Sequence, residues 1–311
     1  MQKIGVIGLG DIAVKAYLPV LSTKKIKVHL FTRNPEKLSA LGGKYRFIHL
    51  HQSLESIIDS GIEAAFVHTP ASTHFEIVQR LLSNNIHVYV DKPLSFHYDE
   101  ADTLIKLAND KNRILRVGFN RRYAPAYRQL RESNEASMIV MQKNRMALPE
   151  EPRKFIFEDF IHVIDTLLFL FRHPLVNLIV KGKIKNDLLY HVVVQFLDED
   201  GNTAIGIMNR DSGTTEEQLE VFTPTGKRVV YNVTDTHQFQ DDREIHIRTN
   251  DWTSTLHKRG FEQIIEEFLL AVKNGSPSRQ HHEDILLTHK ICEQVVWELG
   301  GRGIGYKGIK V

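Results

Sequence analysis

The sequence has few of the features that mark disulfide-rich, membrane or nucleic-acid-binding proteins. Its 311 residues contain one cysteine, Cys292, which excludes an internal disulfide and a zinc site built from several cysteines. No apolar run reaches the roughly 18 residues of a membrane-spanning helix, and Lys3 leads into an apolar strand instead of a signal peptide. Lysine and arginine number 40 against 38 acidic residues, without a basic run or an acidic tail. We therefore expect a soluble cytoplasmic protein with no membrane and no nucleic-acid partner.

Metal-binding motifs are also missing from the linear sequence. The chain has 16 histidines, but they are scattered and none has a spacing such as H-E-x-x-H. The adjacent pair His281 and His282 is interpreted as a solvated helix start, and Cys292 as a core residue of a helix. The sequence predicts no metal site.

The first residues of the chain are the most informative stretch. Residues 3–7 form a short apolar run typical of a buried strand, which breaks at Gly8-Leu-Gly10 before a helical pattern over 11–21. Together with Ala13 this is a G-x-G-x-x-A pattern between a strand and a helix. Gly8 permits a tight turn, Gly10 lets a pyrophosphate approach the backbone, and Ala13 lets the helix pack closely on the sheet. The pattern predicts a dinucleotide site, with the anion bound at the helix start; the alternative is a structural tight turn.

Strands alternate with helices up to about residue 120. The predicted strands are 3–7, 26–31, 46–48, 64–67, 86–90 and 114–117. This alternation predicts an N-terminal Rossmann domain over 1–120, a doubly wound parallel sheet with helices on both faces. Residues 121–311 follow another pattern, with a helix over 157–171, several strand-like runs, hairpin signals and two closing helices over 255–273 and 283–299. They predict an α+β substrate-binding and oligomerisation domain with an open, mainly antiparallel sheet flanked by helices.

The second strand ends without the acidic residue that usually binds the ribose 2′-hydroxyl of NAD. Thr32 and Arg33 occupy this position. A hydroxyl and a guanidinium suit a 2′-phosphate, so the sequence favours NADP(H), with NAD(H) possible if Arg33 stacks on the adenine instead.

Other strand ends supply further candidate residues, because cofactors bind at the carboxyl edge of such a sheet. Thr69 and Pro70 could contact the nicotinamide, whereas His74 is either a cofactor contact or a packed residue that holds the loop. Lys92 precedes Pro93, and a residue before proline is held extended, which would aim its side chain into the crevice. There it could stabilise negative charge on a substrate oxygen; the alternative is a surface lysine.

An apolar helix in the second half carries three acids and one histidine. Glu158 and Asp159 lie four and three residues before His162, and Asp165 lies three residues after it, so all of them can share one helix face. A carboxylate beside a histidine suits general acid–base chemistry near neutral pH. The alternative is a pair of acids favoured at a helix start, with His162 satisfied in the core.

Taken together, these motifs resemble those of the Gfo/Idh/MocA family across essentially the whole chain, and several look like the MviM-type bacterial oxidoreductases. The matching elements are Gly8-x-Gly10-x-x-Ala13, Thr69-Pro70-x-x-x-His74, Asp91-Lys92-Pro93, Gly118-Phe119-Asn120-Arg121-Arg122-Tyr123 and His162-x-x-Asp165. The resemblance implies hydride transfer between NAD(P) and a hydroxyl or carbonyl carbon of a sugar, cyclitol or small polyol. It also implies a homodimer or homotetramer formed through the C-terminal sheet.

In this interpretation Lys92 and His162 are catalytic, with Glu158 or Asp159 as the carboxylate that assists His162. Substrate is expected to contact Lys92, Arg122, Tyr123, His162 and Asp165. The cofactor is expected to contact Gly8, Gly10, Asp11, Ile12, Thr32, Arg33, Thr69, Pro70, His74, Asp91, Lys92, Asn120 and Arg121. Two residues depart from the family pattern, since Asp91 replaces a glutamate and Glu158 stands where an aspartate is usual. The alternatives are a non-catalytic NADP(H) sensor or scaffold and a reductase of a non-sugar substrate.

Overall fold

Two sheets organise the chain in this computed structural model, which describes residues 1–132, 136–275 and 278–300. The first compact unit consists of Met1–Gly118 and Phe261–Leu287, and the second of Phe119–Gly260 with the described chain from Thr288 onward. Residues 301–311 of the expected second domain lie outside the described residues.

The sheet of the first unit is parallel throughout. Its strands are β1 (Lys3–Ile7), β2 (Lys27–Phe31), β3 (His49–His51), β4 (Ala64–Val67), β5 (His87–Val90) and β6 (Leu115–Val117). Their order, β3-β2-β1-β4-β5-β6, is that of a doubly wound sheet, and it confirms the predicted Rossmann fold. The carboxyl ends of β1, β2, β4 and β5 are therefore neighbours.

The helices of this unit follow the predicted alternation. They are a π-helical turn (Ala13–Tyr17), α1 (Leu18–Leu21), α2 (Pro35–Tyr45), α3 (Leu54–Asp59), a 3-10 turn (Ala71–Thr73), α4 (His74–Ser83) and α5 (Tyr98–Asp110). The third strand was predicted three residues too early. Arg46 instead caps α2 in the left-handed conformation, at φ 57°, so that pairing with β2 begins only at His49.

The second unit contains an eight-stranded sheet. Its strands are β7 (Met138–Met146), β8 (Asn177–Lys185), β9 (Leu188–Leu197), β10 (Thr203–Ser212), β11 (Glu216–Thr223), β12 (Gly226–Tyr231), β13 (Asp235–Gln240) and β14 (Arg243–Ile247). The order is β14-β13-β12-β11-β7-β10-β9-β8, with one parallel pair, β7 and β10, so the predicted open, mainly antiparallel sheet is confirmed. The sequence prediction missed β13, because Phe239 is its one large apolar residue and alternation is absent.

Helices flank this sheet, and they differ from the prediction in two places. They are a 3-10 turn (Asn120–Tyr123), α6 (Pro125–Arg131), α7 (Pro152–Phe155), a π-helical turn (Ile156–Phe160), α8 (Ile161–Leu170) and α9 (Thr255–Lys258), followed by α10 (Phe261–Asn274) and α11 (Arg279–Glu298). The helix predicted over 255–273 is broken at Gly260, which has φ +81°. The helix predicted over 157–171 begins earlier and contains the π-helical turn. None of the helices in the described ranges is long and apolar enough to cross a membrane.

α10 packs on the parallel sheet of the first unit. The ring of Phe268 lies 5.1 Å from that of Phe66 and 5.6 Å from that of Tyr89, both edge-on. The side-chain amide of Gln2 donates a hydrogen bond to the carbonyl of Leu269. The expected division at residue 120 had placed this helix in the second domain, but its apolar face completes the core of the first unit.

Several histidines of the first unit are buried rather than solvated. His29 stacks on His49 and His51 across two strands, His87 lies in β5, and His282 contacts the side-chain oxygen of Asn109 at 2.7 Å. The interpretation of His282 as a solvated residue is therefore wrong, because it is 2% exposed. Burial, together with neighbouring basic groups, lowers the pKa of His29, His87 and His282 to about 4 in each case.

We expect this unit to lose stability as the pH falls from about 6.5 to about 4. The folded histidines have pKa values below the 6.5 of an unfolded histidine, so the unfolded chain binds more protons in this window and is favoured by acid. Above pH 7 both states are neutral at these groups and the effect disappears. Calorimetry at pH 7.5 and pH 4.5 should show a Tm lower by about 5 °C or more at the acidic pH. His29→Asn should reduce this difference and His191→Asn, on the second sheet, should not; a Tm independent of pH would contradict the expectation.

Candidate functional site

The glycine turn after β1 lies at the carboxyl edge of the parallel sheet, as predicted. Gly8 has φ +86°, and its N–H donates a hydrogen bond to the carbonyl of Phe31, at the end of β2. A Cβ at Gly8 would lie 2.8 Å from the backbone of His68. Ala13 is fully buried, so its small side chain permits the close approach of helix and sheet. The packing of the glycine turn and of the helix after it therefore requires small residues at Gly8 and Ala13, whether or not a ligand binds.

Gly10 differs from Gly8 in this respect. It has no positive φ, and a Cβ built on it would have an ordinary contact, 3.6 Å from the carbonyl oxygen of His68. The packing of the unit therefore does not demand glycine at position 10. A glycine at this position would let the phosphates of a dinucleotide approach the backbone closely. Asp11 and Ile12, which begin the helix, are exposed, although Asp11 forms an ion pair with Lys15 at 2.7 Å.

Thr32 and Arg33 lie beside the glycine turn, because β2 pairs with β1 in parallel register. Thr32 is half-buried and Arg33 is exposed. Within the described part of the chain the Arg33 guanidinium forms no ion pair. Asn34 begins α2 by accepting a hydrogen bond from the N–H of Lys37 at 2.9 Å, which fixes the loop that carries Arg33. The guanidinium is thus available to an anionic ligand at this edge.

The loop after β4 is tied to the loop after β5 by His74. Its Nδ1 lies 2.7 Å from the carbonyl oxygen of Pro93 and its Nε2 lies 2.9 Å from that of Thr69. The ring is 1% exposed, and burial lowers its pKa. Of the two interpretations of His74, the structure favours the packed residue that holds the loop over the cofactor contact, because both ring nitrogens face backbone carbonyls. Thr69 and Pro70 remain accessible at the tip of the loop.

Asp91, directly before Lys92, faces inward. Its Oδ2 lies 2.8 Å from Nδ1 of His68, whose side chain is fully buried. The carboxylate was expected to contact the cofactor, but its observed partner is this histidine. The pair joins the ends of β4 and β5, so the backbone that carries Lys92 is anchored on both sides. Lys92 itself is half-buried, and the Lys92–Pro93 peptide is cis.

Two buried tyrosines extend the network of His68 and Asp91. The hydroxyls of Tyr17 and Tyr89 lie 2.8 Å apart, and the ring of Tyr17 lies 4.0 Å from that of His68. Burial, together with Tyr89 and Asp91, raises the pKa of Tyr17 well above its usual value, so it stays a neutral hydroxyl. Gly118 leaves room for this pair, because a Cβ there would lie 3.1 Å from the Tyr89 hydroxyl. Sequence reasoning missed His68, Tyr17 and Tyr89, although a histidine directly after an apolar strand was a signal.

In the second unit, Gly260 packs against the backbone of the segment that follows β6. A Cβ at this residue would lie 2.3 Å from the carbonyl oxygen of Asn120, which explains the glycine. The side-chain amide of Asn120 donates to the carbonyl of Arg259 at 2.8 Å. The predicted cofactor contact of Asn120 is thus replaced by a bond that holds the loop. Tyr123 is half-buried, with the guanidinium of Arg128 5.9 Å from its ring centre.

Arg121 was predicted to contact the cofactor, but it points into the core of the second unit. Its Nε and Nη2 donate to the two carboxylate oxygens of Glu217 at 2.7 and 2.6 Å, and the hydroxyl of Tyr127 donates to the same carboxylate at 2.9 Å. Burial raises the pKa of Glu217, but Arg121 more than offsets this and holds it below its usual value. The predicted cofactor role is corrected: Arg121 is part of a buried ion pair.

Arg122 and Asp165 were both expected to contact substrate, and the structure pairs them with each other. The Nε of Arg122 lies 2.9 and 3.0 Å from the two oxygens of Asp165, and its Nη2 lies 2.8 Å from one of them. Asp165 is 1% exposed and also accepts a bond from Thr288. Asp165 therefore anchors Arg122.

Asp159, one of two candidate partners of His162, is also engaged elsewhere. It lies in the π-helical turn before α8 and binds Lys143 and Arg145 of β7. Burial raises its pKa, but these two cations more than offset that and lower it. The observed partners of Asp159 are thus two cations of β7, which favours Glu158 as the carboxylate that assists His162.

Glu158 and His162 share the accessible side of this helical segment. Glu158 is exposed and His162 is half-buried, whereas Asp159, Phe160, Ile161 and Val163 are buried. Glu158 and Asp159 both lie in the π-helical turn over Ile156–Phe160, which α8 continues. This segment therefore presents an imidazole and a carboxylate four residues apart, the residue types that general acid–base catalysis uses.

Comparison with known proteins places both halves of the chain. Residues 2–119 match a family model described as "Oxidoreductase family, NAD-binding Rossmann fold" and named for GFO, IDH and MocA. Residues 125–244 match a model described as "YceM-like, C-terminal domain".

Individual relatives extend this match over almost the whole chain. The protein YceM of Salmonella typhimurium, named as an oxidoreductase, is 31% identical over 301 residues, which cover 94% of this chain and 96% of that one. The crystal structure of the dehydrogenase MviM from Clostridium difficile aligns with a TM-score of 0.90 at 29% identity, covering 96% of this chain and 99% of that chain. Myo-inositol 2-dehydrogenase of Thermotoga maritima is 24% identical over 320 residues, covering 91% of this chain and 92% of that protein.

Proposed function

Because the chain belongs to the Gfo/Idh/MocA family of NAD-binding oxidoreductases, we propose that it transfers a hydride between a nicotinamide cofactor and a hydroxyl or carbonyl carbon of a sugar, cyclitol or similar small polyol. The observation that carries the proposal is Gly10, whose missing side chain no internal packing requires. A relative that acts on a cyclitol, the myo-inositol dehydrogenase, supports the substrate class.

In this proposal His162 transfers the proton of the substrate oxygen, and Lys92 stabilises the charge on that oxygen. For oxidation, His162 accepts the hydroxyl proton while Lys92 donates a hydrogen bond to the same oxygen and stabilises its developing negative charge. For reduction, His162 donates that proton back. The nicotinamide, when bound, accepts or supplies the hydride.

Glu158 is the proposed partner of His162. It is four residues earlier on the same helical segment and exposed, whereas Asp159 binds Lys143 and Arg145. A carboxylate beside an imidazole orients the ring and stabilises its protonated form. The network of Asp91, His68, Tyr17 and Tyr89 is proposed to hold the backbone of Lys92, not to react.

A direct test mixes the purified protein with NADP⁺ or NAD⁺ and a panel of sugars, cyclitols and polyols, and follows the absorbance of the reduced nicotinamide. The proposal predicts turnover with at least one member of the panel. Tight binding of the cofactor without turnover on any hydroxyl or carbonyl compound would favour a non-catalytic sensor instead.

NADP(H) is the proposed preferred cofactor, because Arg33 is exposed beside the glycine turn without an ion-pair partner among the described residues. Arg33→Ala should lower the preference for NADPH over NADH by roughly ten- to a hundredfold, since charge-assisted hydrogen bonds contribute about 1.5–3 kcal/mol. Fluorescence titration of both cofactors measures the ratio. Lys44→Ala, at the far end of α2, is the control and should leave the ratio unchanged. Equal affinities of the wild type for the two cofactors would reject the preference.

We propose a homodimer or homotetramer formed through the C-terminal sheet. Its strands expose apolar side chains, among them Met138 and Ile179 at 40% and Ile184 at 42%. Multi-angle light scattering should give a mass of two or four chains, and a monomeric mass at micromolar concentration would contradict this.

A further inference from the structure

The last two strands of the second sheet bring together three side chains of a kind that binds metals. In the antiparallel register of β13 and β14, His237 lies opposite His246, and Phe239 lies opposite Glu244. Because side chains alternate between the two faces of a strand, His237, Glu244 and His246 share one face. Their spacing in the sequence is not that of a linear motif, so only the strand pairing reveals the cluster.

The ligand atoms already converge. Nδ1 of His237 lies 2.8 Å from Oε1 of Glu244, and Nε2 of His246 lies 2.9 Å from the same oxygen. All three atoms lie within 4.8 Å of one another, and the two imidazole rings are 4.0 Å apart. Zn²⁺ binds imidazole nitrogens and carboxylate oxygens at about 2.0–2.2 Å in tetrahedral geometry, which places such atoms roughly 3.3 Å apart. The two nitrogen-to-oxygen separations are close to this value, and His246 and Glu244 are exposed enough to adjust.

The surroundings permit an ion to enter and do not compete with it. In the single chain the side chains of Glu244 and His246 are 47% and 50% exposed, so an ion can reach them from solvent. The cation of the neighbouring strand on this face, Lys227, lies opposite Phe239 and is held by Glu220 at 3.2 Å.

We propose that His237, Glu244 and His246 form a binding site for a divalent transition-metal ion, with Zn²⁺ as the ion best matched to two imidazoles and one carboxylate. Water completes the coordination, because the chain supplies three ligands. β14 is an edge strand, every residue of it is exposed, and its pairing partner in the sheet is β13. An ion bound to His237 on β13 and to Glu244 and His246 on β14 would link the two strands and stabilise their pairing at this edge of the sheet.

Isothermal titration calorimetry with ZnCl₂ tests the proposal on the full chain, free of any histidine tag and in a buffer that does not chelate metals. The wild type should bind one Zn²⁺ per chain. His246→Gln and Glu244→Gln should each raise the Kd by at least about tenfold, because each removes one of three ligands. His191→Gln, an exposed histidine on β9 of the same sheet, should leave the Kd unchanged.

Two further readouts keep the result independent of folding. Cobalt(II) in place of zinc should give a visible absorption band with the wild type and with His191→Gln, but not with His246→Gln. Zinc should raise the Tm of the wild type and leave that of His246→Gln unchanged, since only an ion that binds the folded state stabilises it. The absence of saturable binding, or the same Kd in His246→Gln as in the wild type, would overturn the proposal.

Discussion

Replacing His162 with alanine should lower the turnover number by about 10²–10⁴-fold, the usual contribution of a positioned acid or base. The affinity for NADPH should stay within about twofold of the wild type, since the proposed cofactor contacts lie in the first unit. Lys92→Ala should have a loss of similar size, because the developing charge on the substrate oxygen would lose its donor. Steady-state kinetics with the substrate found in the panel, together with cofactor titration, separate the two effects.

The control for these variants is His191→Ala, which removes an exposed histidine of the second unit and should keep full activity. Glu158→Gln should reduce the rate less than His162→Ala, because it acts through the imidazole. If His162→Ala or Lys92→Ala retained the wild-type turnover number, that residue would lose its assigned role. If both retained it, the mechanism would be wrong even though the family assignment stood.

Replacing Glu217 with alanine should lower the free energy of unfolding by about 3–5 kcal/mol, because it leaves the buried guanidinium of Arg121 without its partner. The hydroxyl of Tyr127 would lose its acceptor as well. Urea denaturation followed by circular dichroism measures the change. Removing both charges, as in the double variant Arg121→Met and Glu217→Leu, should recover most of the loss.

Glu220 offers a matched control on the same strand. Its carboxylate also binds a cation, Lys227, at 3.2 Å, but this ion pair is partly exposed. Glu220→Ala should therefore cost less than about 1 kcal/mol. If Glu217→Ala and Glu220→Ala lowered the free energy of unfolding equally, the buried ion pair of Arg121 would be no more important for stability than the partly exposed pair of Lys227.

The backbone features of the first unit could be predicted from the sequence because they depend on local patterns. Short apolar runs and a glycine pair specify strand, turn and helix, and they place Gly8, Thr32, Thr69 and Lys92 at one edge of a parallel sheet. Chain order alone fixes that edge, since all strands of such a sheet run the same way. The parallel, doubly wound arrangement of the strands followed from these patterns.

The partners of polar side chains could not be predicted in this way. Arg121 and Arg122 are adjacent in sequence, yet one binds Glu217 and the other Asp165. Asp159 and Glu158 are also adjacent, yet Asp159 is buried and Glu158 is exposed. Linear spacing tells which residues share a helix face, but it does not tell which face meets the core or which distant charge is there.

The cluster of His237, Glu244 and His246 shows the same limit on a sheet. β13 is too polar for its alternation to be recognised, so the register that joins it to β14 was not foreseen. Once the pairing is known, the period of two along each strand brings the three side chains to one face. Non-local pairing therefore creates candidate chemistry that no motif search along the chain can find.

A crystal structure of the protein with NADPH tests the central claim most directly. We predict that the pyrophosphate lies over the backbone of Gly8-Leu9-Gly10, that the 2′-phosphate contacts Arg33, and that the nicotinamide ring lies at the ends of β4 and β5 beside Lys92. A cofactor bound away from the glycine turn, or one whose nicotinamide ring lies on the side of β1 opposite Lys92, would contradict the account.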